Sequence, residues 1–159
     1  MTAYQAQIRN GIYSAINLAK AGLVISDFDL EYTYYPTSRL EDIGTKPQVK
    51  VTAMGMASNR DRMLRNAGVK VLELGVMVHV QQRMDPTATL DLDDLVELVE
   101  ELMDLCEDDE LVAGADYQWA RTEPLRDEND IIYSYEALTV NGVFQAVFTV
   151  HYTYILQGV

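Results

Sequence analysis

The sequence predicts an α+β fold, an antiparallel or mixed β-sheet with two α-helices packed on one face. Two segments carry apolar residues at helical spacing of three and four, near the N-terminus and in the middle of the chain. Two long segments, Val69–Met84 and the stretch that closes the chain, alternate with a period of two, as strands do. The elements read in the order helix, three strands, helix, three strands. With no repeat, linker or low-complexity tract in 159 residues, Met1–Val159 is expected to be one domain.

The first helix is expected over Thr2–Ala21, where Ile8, Ile12, Ala15, Ile16 and Ala19 share a face and Gly22 follows as a stop. Gly11 weakens its middle by ~1 kcal/mol relative to alanine, so packing must hold it. Phe28–Tyr35 reads as a tyrosine-rich strand ended by Pro36, with a polar loop from Thr37 to Pro47. A second strand is expected at Gln48–Met56. In the third, Leu72, Leu74, Val76, Val78 and Val80 point one way and Glu73, Gly75, Met77, His79 and Gln81 the other. Between these two strands lies the arm Ala57–Gly68, polar and basic and too long for a tight turn.

The second helix should begin near Asp91, a good N-cap, and present Leu92, Leu95, Val96, Val99, Leu102, Met103 and Cys106 on one face. Acidic residues oppose the negative end of a helix dipole, so it should stop near Cys106–Glu107, where Asp108, Asp109 and Glu110 follow. Ala115–Glu123 is the next expected strand, followed by a charged loop at Arg126–Asp130. From Ile131 onward the chain reads as a strand, a hairpin turn at Asn141-Gly142, and a longer strand to Leu156. In that last strand Phe144, Ala146, Phe148, Val150, Tyr152, Tyr154 and Leu156 form the core face. Its other face mixes Gln145, Thr149, His151 and Thr153 with Val143, Val147 and Ile155. A half-apolar outer face on a terminal strand suggests contact with another chain.

The net charge of −13 disfavours nucleic-acid binding unless the basic residues are segregated, and here they partly are. Asp91–Glu110 holds 11 of the 25 acidic residues and no basic one. Lys46, Lys50, Arg60, Arg62, Arg65 and Lys70 share Lys46–Lys70 with Asp61 alone among acids. These oppositely charged segments suit pairing within the molecule or between copies in a head-to-tail ring. The single cysteine excludes a disulfide scaffold, and no Cys/His cluster has zinc spacing. No apolar run is long enough to span a bilayer, and the N-terminus lacks signal-peptide zones, so a soluble chain made in a cytoplasm and no membrane partner are expected.

Motifs for chemistry are sparse. His79 and His151 fall on the less apolar faces of their strands, where histidines are mostly plain polar surface. They would form a metal site only if their strands were neighbours and a carboxylate joined them. No serine sits in a Gly-x-Ser-x-Gly elbow, and Cys106 continues the apolar stripe of a helix. Gly44-Thr45-Lys46 lacks the first glycine of a phosphate loop, and Pro47 stands where a helix should begin. The acidic tract lacks the order of a calcium loop and fits a solvated helix face. Tyr32, Tyr34 and Tyr35 suit core and interface rather than a platform for bases. No catalytic, cofactor-binding or metal-ligating residue is assigned. Arg60, Arg62, Arg65 and Lys70 are the candidate residues that face a partner or DNA.

The pattern resembles the tail terminator (tail completion, neck) proteins of long-tailed bacteriophages. The resemblance rests on "KVLELGVMVHVQQR" at Lys70–Arg83, the acidic helix "LDDLVELVEELMDL" at Leu92–Leu105, and "YSYEALTVNGVFQAVFTVHYTY" at Tyr133–Tyr154. It spans about Thr2 to Leu156, in patterns rather than catalytic signatures. It implies a virion protein without an active site or cofactor that forms a ring, a hexamer, on the head-proximal end of the tail tube. Such a ring stops tube growth and joins the tail to the head connector or stopper, with DNA passing through its lumen. The alternatives are another neck protein, a tube subunit, or a small ligand-binding domain or enzyme using the His79/His151 face.

Overall fold

In the computed structural model, residues 4–33, 40–53, 69–84, 89–107 and 117–157 are described. Helix α1 spans Tyr4–Ala19 and runs into a 3-10 turn at Lys20–Gly22. Strands β1 (Asp29–Thr33), β2 (Gln48–Ala53) and β3 (Val69–Arg83) follow, then α2 (Thr89–Cys106) and β4 (Tyr117–Pro124). A short helix α3 (Tyr135–Asn141) leads directly into β5 (Val143–Gln157). The strands form one mixed sheet in the order β1-β2-β3-β5-β4. Only β1 and β2 run parallel among its neighbouring pairs; the others are antiparallel. The fold is therefore α+β, as expected.

The longest ladder joins β3 to β5 over its whole length, from Val69 opposite Gln157 to Arg83 opposite Val143. The core forms on one face of it. Ile8, Ile12 and Ile16 of α1 and Leu95, Leu98, Val99, Leu102 and Cys106 of α2 pack with Val49, Val51, Val76, Val78, Val80, Phe144, Phe148 and Val150. Both helical stripes thus bury against the same face, α1 over β1–β3 and α2 over β4 and β5. The alternation expected for the last strand holds through Tyr152. Leu98 joins the α2 face that the sequence assigned to its neighbours.

Residues 20–28 are tied down from both sides. Lys20 Nζ donates to the Phe28 carbonyl at 2.5 Å and lies 4.7 Å from the centre of the Phe28 ring. The Val24 N–H donates to Glu101 of α2 at 2.9 Å. The end of α1 is thereby linked to both the sheet and the second helix.

The expectation for the segment before the last strand fails. Residues from Ile131 to Val140 do not form a strand, and Asn141-Gly142 is not a hairpin turn. The Ser134 hydroxyl accepts the Ala137 N–H at 3.1 Å and caps α3, and Glu136 lies in its first turn, where a negative charge suits the dipole. Gly142 adopts a left-handed conformation, φ 62° and ψ 34°, and its N–H returns to the carbonyls of Ala137 and Leu138. An Asn-Gly pair satisfies a helix C-terminus as readily as a hairpin, because both need positive φ. Local capping decides between them here, and β5 finds its partners in β3 and β4.

Candidate functional site

The outer face of the sheet, opposite the helices, is built in rows across the strands. One row runs Glu31, Lys50, His79, Val147. The Leu125 N–H extends it by donating to the Val147 carbonyl at 2.9 Å. A second row runs Thr33, Thr52, Met77, Thr149, Glu123. The Thr33 and Thr52 hydroxyls are 3.2 Å apart, and the Thr149 hydroxyl donates to the Glu123 carbonyl at 3.3 Å.

The two histidines lie on adjacent strands and still do not meet. Val147, not His151, stands opposite His79, and His151 stands opposite Gly75. Four residues of strand separate the two positions, about 13 Å. His151 instead contacts its own surroundings: its Nε2 lies 3.0 Å from the Thr149 hydroxyl and 3.7 Å from a Glu123 oxygen. His79 is not surface at all. It is 4% exposed, and neither ring nitrogen has a hydrogen-bond partner. Burial, helped by the charge of Lys50, lowers its pKa from 6.5 to about 4, so the ring is neutral at ordinary pH. Among the described residues no group of three His, Cys, Asp or Glu is placed to hold a metal. Cys106 is buried, and burial pushes its thiol up to about 12, far from a reactive thiolate.

The basic segment is divided in use. Lys46 bridges Asp27 and Asp29, 3.1 Å from each, and those carboxylates raise its pKa. Lys50 meets Glu31 at 3.6 Å. These two lysines therefore serve the β1 side of the molecule. Arg60, Arg62 and Arg65, with the whole arm Ala57–Gly68, lie outside the described residues. Lys70 is in β3 in register with Leu156, near the far end of the longest ladder. The α2 carboxylates Asp91, Asp93, Asp94, Glu97, Glu100 and Asp104 are exposed, the solvated helix face expected of them.

Among the described residues, large apolar side chains are left in solvent on elements toward both edges of the sheet, β1 and β4. Leu18 (85% exposed), Val24 and Tyr32 belong to α1, the turn after it and β1. Leu125 (68%), Tyr135 and Val140 (72%) belong to the end of β4 and to α3. On the first side, buried Arg9 lies over Tyr32, 4.6 Å from the ring centre, and Tyr13 meets the same ring edge-on. On the second side, a groove of ≈ 350 Å³ is lined by Leu125, Arg126, Asp127, Tyr133, Ser134, Gln145 and Val147. Its loop is held by Asp127, whose side chain accepts the N–H groups of Asn129 and Ile131 at 2.8 and 3.0 Å. Arg126 closes it by donating to the Asp130 carbonyl at 2.9 Å. Sequence reasoning pointed to the outer face of β5 and missed both groups, because an isolated Leu18 or Val140 carries no periodic signal.

Comparison with known proteins places the fold. No protein family matches the chain, and no curated protein does. Among solved structures, it is similar to the sheath/tube terminator of an extracellular contractile injection system in its extended state, with a TM-score of 0.50 and 9% sequence identity. The match covers 98% of this chain and 57% of that one. The chain thus shares the fold of part of that protein and spans little more than half its length.

Proposed function

We propose that this chain is a structural subunit that ends a tail tube. Copies join head to tail into a closed ring, a hexamer, at the head-proximal end of the tube. The ring stops tube growth and joins the tail to the connector or stopper below the head, which places the protein in the virion. The observation that carries this reading is the terminator-like fold, shared over 98% of the chain. Exposed apolar side chains at both edges of the sheet, Tyr32 on β1 and Leu125 after β4, add to it, since a head-to-tail contact needs two different surfaces on each copy and closes into a ring if the rotation allows. In this reading Arg60, Arg62, Arg65 and Lys70 face either the acidic surface of a neighbour or DNA in the lumen, through contacts that weaken as salt rises.

The similar structure is named for both sheath and tube, which favours a second reading in which the ring also meets a contractile sheath. Deleting the gene and imaging the particles tests both. Overlong or unjoined tails are the expected result, with an uncapped sheath as well in the second reading. Normal tails would end the proposal, and the loss of all tubes would point to a tube subunit.

A further inference from the structure

The central strand of the sheet carries an imidazole whose surroundings suit only its neutral form. His79 is almost wholly enclosed, and both Nδ1 and Nε2 lack partners. Its neighbour across β2 is Lys50, which has Glu31 of β1 behind it at 3.6 Å. On the β5 side Val147 stands opposite, flanked on that face by the uncharged Gln145 and Thr149. Beyond Val147, the loop after β4 brings Arg126 and Asp127 to the groove that Val147 lines. Farther along the sheet, Glu123 is engaged 3.7 Å from His151. On β3 itself the buried Gln81 Oε1 is also unbonded and does not reach the ring. Among the described residues, the only charge directly opposite His79 in the paired strands is therefore positive, and no acceptor bonds to the ring.

We propose that His79 is an acid-sensitive latch on the outer face of the sheet: proton uptake at the ring sets a second cation beside Lys50 with no acceptor for it among the described residues, and the seam between β2, β3 and β5 opens to admit water. The sign follows from where the proton binds first. The unfolded chain takes it up near pH 6.5 and the folded chain only near pH 4, so stability is complete above about pH 6.5 and is lost as pH falls toward 4. The latch is independent of the ring reading, because it operates within one copy.

The experiment follows the His79 ring protons by NMR in the full chain as pH is lowered, alongside the melting temperature of the native protein and of His79→Gln. The expected midpoint is near pH 4, and Lys50→Met should move it upward. His79→Gln should remove part of the fall in melting temperature between pH 6.5 and 4. A midpoint near 6.5 in the native protein would overturn the proposal, whether or not either variant folds. Identical pH profiles for the native and glutamine proteins would overturn it too.

Discussion

The two faces of the central strands follow different rules. On the inner face, Val76, Val78 and Val80 of β3 meet Val150, Phe148 and Ala146 of β5, and every one is buried beneath the helices. On the outer face the same strands present Met77, His79 and Gln81 to Thr149, Val147 and Gln145. The inner face needs only volume and shape. The outer face encloses polar atoms without bonding all of them. The first arrangement specifies a fold. The second is tolerable when a surface serves something beyond its own stability.

The largest expected effect tests the inner face. Phe148→Asp places an unpaired charge among fully buried side chains, at a cost of roughly 4–5 kcal/mol or more, comparable to the total stability of a small domain. Circular dichroism should find it unfolded; a folded variant would mean that the two faces have been interchanged. Leu102→Ala removes a buried side chain of α2 and leaves a cavity, with an expected loss of about 2–5 kcal/mol in urea titration. A loss well below that would show that α2 is only loosely seated on the sheet.

Sequence periodicity made the inner face legible and the outer face only in part. The stripes of α1 and α2, and the alternation of β3 and β5, mark which side chains are buried because each repeat is sustained over several turns or many residues. The end of α2 at Cys106 was also readable, from acids that oppose its dipole. The failures came where the signal is short. Ile131–Val140 mixes apolar and polar residues in a way that suits a strand, and Asn-Gly is a strong hairpin signal. Yet Ser134 caps, Ala137 and Leu138 are buried side by side, and Gly142 closes the helix. The burial of His79 was not readable either. Its strand face has a polar pattern, and its cross-strand neighbours Lys50 and Val147 follow from the register of β2 and β5, which no local pattern states. The separation of the two histidines also follows from register, since adjacent strands do not imply adjacent positions.

Replacing Ser134 with alanine sharpens this contrast at a smaller scale. It removes the hydroxyl that caps α3 and should cost ~1 kcal/mol, read as a shift in the urea midpoint at unchanged slope. No change would mean that packing of Ala137 and Leu138 alone holds the helix.

The smallest effect on stability should accompany a large effect on assembly. Leu18 of α1, which lies over β1–β3, and Leu125, which follows the edge strand β4, are mostly in water already, so aspartate at either position should change stability by no more than about 0.5 kcal/mol. If Leu18 and Leu125 are the two halves of one contact, each variant alone should abolish ring formation, measured by light scattering on a sizing column. Mixing the two sharpens the outcome further. A Leu18→Asp copy still has an intact β4 side, and a Leu125→Asp copy an intact β1 side, so the pair can form one native contact and go no further. Dimers in the mixture, with monomers in each separate sample, are the expected pattern. A symmetric contact would not behave so, because it would place the same group on both partners and a mixture would rescue nothing.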